Sequence, residues 1–205
     1  MTPQPGAEAT RDRITAAATA EFARHGIAGA RVDRIAKAAR TSKERVYAYF
    51  SSKEELYRHV TARELTAVAE ATRLDPTDLP GYAGRVHDYF AAHPERQRLM
   101  AWGRLELNGA EAPADDPVQL AVAHKVGQLR AAQEAGHLDP DWDPLDILVL
   151  LNQLAMAWAG QTDLAGARPP GREAEFAAAR RAAVVTAVQR LFPAARTSAG
   201  SAPDR

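Results

Sequence analysis

Lys43, Arg45, Tyr47 and Tyr49 crowd one short stretch, TSKERVYAYF, from Thr41 to Phe50. Ammonium and guanidinium groups bind phosphate oxygens and purine edges, and phenol rings add hydrogen bonds and apolar contact. The grouping therefore has the chemistry of a nucleic-acid reader. Ser42 stands where a hydroxyl can accept a bond from a free backbone N–H one turn later, which predicts a helix start. Val46 and Phe50, four residues apart, would turn into a core and leave the two cations and two tyrosines on the remaining arc. Scattered exposed aromatics do occur on solvated helices, so the stretch taken alone leaves both a DNA contact and a plain solvated face open.

A second short helix must hold that one in place. Val32, Ile35, Ala36 and Ala39 keep helical spacing, with Arg31, Arg34, Lys37 and Arg40 on the other side. Two short helices meeting at Ala39-Arg40-Thr41 form a helix-turn-helix layout, in which the second helix enters the major groove. Charge supports this. Residues 1 to 60 carry 11 basic against 7 acidic residues and the remainder 15 against 19; within residues 30 to 53 the count is 7 against 2. A modest basic patch on a chain of zero net charge suits a sequence reader better than an indiscriminate polyanion binder.

The whole chain has 205 residues, 46% hydrophobic and 25% charged, the profile of a soluble globular protein of one large domain or two small ones. The absence of cysteine excludes disulfides, cysteine-ligated zinc and thiol catalysis. MTPQPGAEAT lacks a basic start followed by an apolar run, and no later segment has the length of a membrane span, so a cytoplasmic protein without membrane association is expected.

Helical periodicity predicts about nine helices and no strand, an all-α fold. Ile14, Ala18 and Phe22 mark the first helix, which Gly26 closes. Ser51-Ser52-Lys53-Glu54-Glu55 offers a capping box for a long fourth helix, whose stripe of Leu56, Val60, Leu65 and Val68 runs to about Leu74. It is long enough to connect two parts of the molecule. Further helices are expected over Gly81–Ala92, over Pro94–Leu107 through Leu99, Trp102 and Leu105, and over Val118–Glu134. After an Asp143-Pro144 start, Leu145–Trp158 is apolar nearly all round, and the last helix runs over Glu173–Phe192. Residues 1–10 and 193–205 are expected to be disordered tails.

With those elements in place, residues 11 to 60 resemble the amino-terminal DNA-binding domain of the TetR family of bacterial transcriptional regulators. The resemblance is carried by Ala17, Phe22, Gly26, Val32, Ile35, Ala36, Ala39, Ser42-Lys43, Val46-Tyr47-x-Tyr49-Phe50 and Ser52-Lys53-Glu54-Glu55-Leu56. It implies a helix-turn-helix domain over residues 11–55 and a helical effector-binding and dimerisation domain over 56–192. It further implies a ligand-responsive repressor that acts as a homodimer on a palindromic double-stranded operator, with no cofactor, no metal and no catalytic residue. Lys43, Arg45, Tyr47 and Tyr49 would face DNA and Lys53 would meet a phosphate, with Arg31, Thr41, Ser42 and Glu44 completing the DNA-facing set. Three positions depart from the family's pattern: Arg40 replaces the glycine of the turn, Glu44 replaces a small residue, and Ala30 and Arg31 replace the hydroxyl residues that open the second helix. Glu44 is read as a salt link to a neighbour.

For an unknown small-molecule effector the aromatic and polar residues of the central helices are the candidates: His87, Phe90, Trp102, Glu106, His124, Asn152 and Trp158. Asn152 is favoured, because an amide amid leucines needs a partner. A four-helix bundle between subunits would bury the apolar excess of residues 145–158, which nominates Leu148, Leu151, Phe176, Arg180, Val184 and Val188 as dimer contacts. The rival readings are a helical small-molecule-binding or interaction protein that no longer reads DNA, and an all-helical enzyme. The second has little behind it, since the six histidines are scattered and no phosphate loop follows a strand. Asp139, Asp141, Asp143 and Asp146 alternate like a calcium loop, but helix capping explains them better.

Overall fold

A computed structural model describes residues 5–107, 116–161 and 170–193. Among the described residues there are nine helices and no strand: α1 Pro5–Gly29, α2 Val32–Ala38, α3 Lys43–Tyr49, α4 Lys53–Ala71, α5 Leu79–Ala92, α6 Pro94–Glu106, α7 Pro117–Glu134, α8 Pro144–Ala155 and α9 Glu173–Leu191. The break expected between Asn108 and Pro117 falls mostly outside the described residues, as do residues 194–205 of the expected tail.

The chain divides into two compact units, one made of residues up to Glu70 with Phe90–Val118, the other of Ala71–Tyr89 with the residues from Gln119 onward. The first unit is thus larger than a helix-turn-helix domain ending at residue 55, because most of α4 and all of α6 belong to it. Its core contains residues the periodicity picked out, Ile14, Ala18 and Phe22 of α1, Ile35 and Ala36 of α2, Val46 and Phe50 at α3, Leu56 and Val60 of α4, and Leu99 of α6, together with Ala23, Ile27, Ala30 and Tyr57, which it did not. The Tyr57 ring meets Phe22 edge-on at 5.3 Å, and its hydroxyl donates to the Leu99 carbonyl at 2.6 Å. Burial pushes that phenol up from its ordinary pKa. Gly103 has no room for a Cβ, which would collide with the Tyr57 hydroxyl.

Several helix boundaries differ from expectation, among them the end of α8, which stops at Ala155 and not at Trp158. α1 begins at Pro5, so the tail expected over residues 1–10 is helical from that point; Thr10 there returns its hydroxyl to the Gly6 carbonyl at 2.9 Å. Gly26, with φ 71° and ψ −176°, is non-helical and interrupts α1 where its end was expected, and a short further stretch runs on to Gly29. α4 stops at Ala71, three residues short of Leu74. On α6 the expected stripe fails at Leu105, which is 73% exposed.

In the second unit Leu79, Tyr82, Ala83 and Val86 of α5, Leu129 of α7, Ile147, Leu148, Leu151 and Ala155 of α8, and Val184 and Val188 of α9 are buried. Asp143 caps α8 by accepting the Leu145 N–H at 2.7 Å, the role expected of it. α8 and α9 pack on each other. That packing overturns most of the expected dimer set: Leu148, Leu151, Val184 and Val188 are buried within their own chain, because the apolar faces of the two helices meet inside it. The outward apolar residues of α8 are Leu145 and Val149, about half exposed.

Candidate nucleic-acid interface

The site is built from three capped turns. α2 ends as a Schellman turn, in which Thr41 N–H donates to Ala36 O at 3.0 Å and Arg40 N–H to Lys37 O at 3.2 Å. Arg40 takes the left-handed conformation the motif requires, with φ 54°, so the turn keeps a glycine's geometry on a residue with a Cβ. Arg13 of α1 closes the end by donating from Nε to the Ala39 carbonyl at 3.1 Å. α3 then starts at its cap, where Ser42 Oγ accepts from Arg45 N–H at 3.1 Å. At α4, Ser52 Oγ accepts from Glu55 N–H at 3.0 Å while the Glu55 carboxylate takes the Ser51 N–H at 2.7 Å and the Ser51 hydroxyl. Those Ser51 bonds hold Glu55 below the usual carboxylate range.

Between these turns α3 is anchored by Val46 and Phe50, both buried, and presents Lys43, Glu44, Arg45 and Tyr47 to solvent. Lys43 reaches Asp33 of α2 at 3.4 Å, a surface pair of little energetic weight. Among the described residues no ion pair within 4 Å joins Glu44, read as a salt link, to a neighbour. Glu44 bonds its own N–H and the Ser42 hydroxyl at the positive end of α3, which lowers its pKa, with a smaller contribution from Lys43.

Tyr49 differs from the other α3 candidates. It is half-buried against the core, its hydroxyl donates to the Ala7 carbonyl at 3.2 Å, and Arg45 lies over its ring at 5.9 Å. The contact exists because α1 extends back to Pro5, which periodicity alone did not show. Lys53 spends two of its three N–H groups on the carbonyls of Ala28 and Ala30, at 3.1 and 3.3 Å. Thr41 is half-buried and Arg31 exposed. No side chain caps α2 at Arg31; instead the Arg31 N–H goes to Glu21 of α1 at 2.9 Å. Glu21 also takes the Arg34 guanidinium at 2.6 Å, and although burial works to raise its pKa, the Arg31 N–H and Arg34 outweigh it.

The effector candidates are shared between the two units. Phe90, Trp102 and Glu106 belong to the amino-terminal unit and His87, His124, Asn152 and Trp158 to the other. Trp102 and Glu106 serve the α1 kink: a Cβ at Gly26 would press on the Trp102 ring and collide with Glu106, whose carboxylate accepts from Ile27 N–H at 3.1 Å and Ala28 N–H at 2.6 Å. A helix kinked by a left-handed glycine exposes free N–H groups, and a carboxylate from α6 satisfies them. Phe90 is buried and His124 exposed. His87 Nδ1 meets the Ala155 carbonyl at 3.3 Å, Asn152 Oδ1 accepts from Tyr82 Oη at 3.3 Å, and Trp158 stacks edge-on with Phe176 at 6.1 Å. Glu21, Arg13 and Arg34 were missed as site residues, because their partners lie 10 or more residues away in sequence or are backbone atoms.

Known proteins share this arrangement. Residues 14–60 match the family described as bacterial regulatory proteins, tetR family, and residues 78–190 match the tetracyclin repressor-like C-terminal domain. The chain is 46% identical to the HTH-type transcriptional repressor SCO4008 of Streptomyces coelicolor over 153 residues, which cover 74% of this chain and 79% of that one. With the HTH-type transcriptional repressor NicS of Pseudomonas putida it shares 34% identity over 139 residues, 63% of this chain and 64% of the relative. The crystal structure of SCO4942 from Streptomyces coelicolor superimposes with a TM-score of 0.77 at 60% identity, covering 90% of this chain and 98% of the other. The all-α fold, the capped α2–α3 pair and these relatives agree: the chain is a DNA-binding transcriptional regulator and belongs to the tetR family of bacterial regulatory proteins.

Proposed function

We propose that the protein is a cytoplasmic, homodimeric repressor that sets two copies of α3 in successive major grooves of a roughly palindromic operator and releases it when a small molecule occupies the second unit. The observation that carries the DNA half is the outward set on α3: Lys43, Arg45 and Tyr47 stand exposed over a buried Val46–Phe50 anchor, behind a capped start. Arg45 is assigned to a base edge and Lys43 and Tyr47 to phosphates or neighbouring base atoms, with the third N–H of Lys53 and the exposed Arg31 guanidinium meeting the backbone. Tyr49 is assigned to positioning, since its hydroxyl is engaged. Repression is the activity named for the relative SCO4008. The dimer reading is carried by Leu145 and Val149, which leave apolar area on the outer face of α8, and by the exposed alanines of α9. Ligand control follows as a population shift, in which a molecule preferring the DNA-incompetent state lowers operator affinity by the ratio of its affinities for the two states.

The test replaces Arg45 by Ala and titrates operator and random DNA at two salt concentrations. Affinity for the operator should fall by about 1 to 3 kcal/mol while random DNA changes far less. Wild-type affinity for both would remove Arg45 from the reading surface.

A further inference from the structure

Lys125 of α7 is half-buried, and its ammonium engages a neighbour inside its own unit. Its Nζ donates to the hydroxyl of Tyr82 on α5 at 3.1 Å and lies 5.3 Å from that ring's centroid. Tyr82 is only 1% exposed and passes its own hydroxyl proton to Asn152 Oδ1 on α8 at 3.3 Å. Three helices of one unit thus converge on a lysine, a tyrosine and an asparagine. A lysine on a helix normally extends its stem and leaves the charge in water, so the inward course of this one is the anomaly.

No carboxylate among the described residues answers that charge. Asp78 pairs with Arg85, Asp88 with Arg181, and Asp143 caps α8. The donors and acceptors of the cluster are also unequal. The ammonium has three N–H groups and uses one on Tyr82; the Asn152 amide has two N–H groups, and its oxygen is taken by Tyr82. What remains is a positive charge without a carboxylate, and four N–H groups, two on Lys125 and two on Asn152, that no bond inside the cluster uses. The complement is a group that is negative and only accepts, which describes a carboxylate. A primary amide or alcohol of the same shape could take some of the hydrogen bonds but would leave the ammonium unmatched.

We propose that Lys125 and Asn152 are the anion-binding end of the effector site, with Tyr82 positioning Lys125, and that the effector is a small organic acid whose carboxylate meets Lys125 Nζ. The proposal rests on the ligand-responsive reading above and names its chemistry.

The experiment uses the full-length protein and four acids, benzoate, phenylacetate, hexanoate and octanoate, each against its own primary amide, in thermal-shift and calorimetric titrations. At least one acid should raise the melting temperature where its amide does not. Lys125→Gln should weaken that acid by about tenfold or more, and Lys125→Arg should hold it within about threefold. If every acid behaves as its amide does, or if Lys125→Gln binds the acid as the wild type does, the proposal is overturned. An unliganded melting temperature equal to wild type shows that Lys125→Gln has lost a site and not its fold; if it melts early, Lys125→Arg and Tyr82→Phe decide. Operator titrations separate the two readings. An acid bound through Lys125 that leaves operator affinity unchanged refutes ligand control and keeps the site, whereas release of Lys125→Gln from operator by a neutral compound keeps ligand control and refutes the site.

Discussion

Both units pair most of their charges, and they differ at a few half-buried ones. In the amino-terminal unit the long-range polar groups close on one another. Glu21 holds Arg31 N–H and Arg34, Glu106 holds two N–H groups of the α1 kink, and Lys53 holds two carbonyls of the next turn, while Glu64 Oε2, 3.0 Å from Arg96 Nε, is buried without a hydrogen bond. In the other unit two half-buried cations lie on aromatic rings. Lys125 rests on Tyr82, and Arg180 stands 4.9 Å from the rings of both Trp158 and Phe176 with its Nε buried and unbonded. A reading helix must be held in one geometry before it meets DNA, and satisfied backbone groups do that. A unit that takes a small molecule, as proposed for the second one, can leave a demand for that partner unmet.

This contrast predicts opposite signs for removing one charge on each side. Glu106→Ala deletes the acceptor of two backbone N–H groups at a kink that has no other cap. It should lower unfolding stability by about 1 to 2 kcal/mol, the value for a charge-assisted bond discounted for the exposure of the carboxylate. Glu106→Gln, which keeps an acceptor, should lose about half as much. Lys125→Met removes an unanswered charge and keeps the stem, so without ligand the protein should melt no lower than wild type. Urea titrations of the three variants check it. A neutral Glu106→Ala, or a Lys125→Met as costly as Glu106→Ala, would erase the distinction drawn between the units.

A second comparison lies within one motif. α7 ends as α2 does, with His137 N–H on Ala132 O at 2.8 Å and Gly136 N–H on Gln133 O at 2.9 Å, but there the left-handed residue is Gly136, with φ 74°. Arg40 fills that place in α2. A Cβ in this conformation costs about 1 to 2 kcal/mol, while glycine gives back part of that through the entropy of the unfolded chain. Arg40→Gly should therefore stabilise by about 0.5 to 1 kcal/mol in denaturant titrations. A destabilised variant would mean that the Arg40 side chain contributes more to the turn than its geometry shows.

Local signals carried most of what the sequence revealed. The Ser42 cap, the Val46 and Phe50 anchors, the Ser52–Glu55 start of α4 and the Asp143 cap of α8 each depend on residues within one turn, and each stands where spacing put it. What spacing could not reach depends on contacts far apart in sequence. Tyr49 was read as facing outward until Ala7, 42 residues away, took its hydroxyl. Glu106 and Trp102 were read as pocket residues because nothing in their own helix points to the Gly26 kink, some 79 residues earlier. The error at Leu148, Leu151, Val184 and Val188 has the same origin: an apolar stripe says that a face is covered, and cannot say whether the cover is its own chain or a second copy. An amide among leucines calls for a partner, and the one Asn152 has, Tyr82, lies 70 residues away.

The smallest effect expected is a pH dependence confined to the amino-terminal unit, and it tests whether charge there is as closely matched as the bonds suggest. The His59 ring packs on Phe50 at 5.1 Å, and burial lowers its pKa below the ordinary histidine value, with Arg11 and Arg63 acting in the same direction against Asp12 and Glu55. The unfolded chain thus takes up its proton first. Stability from a neutral His59 is complete above the unfolded value of about 6.5 and is lost as the pH falls from there through the lower folded value. Glu21 and Glu55 have folded pKa values below their ordinary ones, so their contributions are lost only at more acid pH, below about 4.3, and the two windows stay apart. Melting temperatures measured between pH 7.5 and 5.5 should therefore decline more steeply for wild type than for His59→Gln. Parallel declines would show that protonated His59 is accommodated by Asp12 and Glu55, and that this corner of the unit has acidic charge to spare.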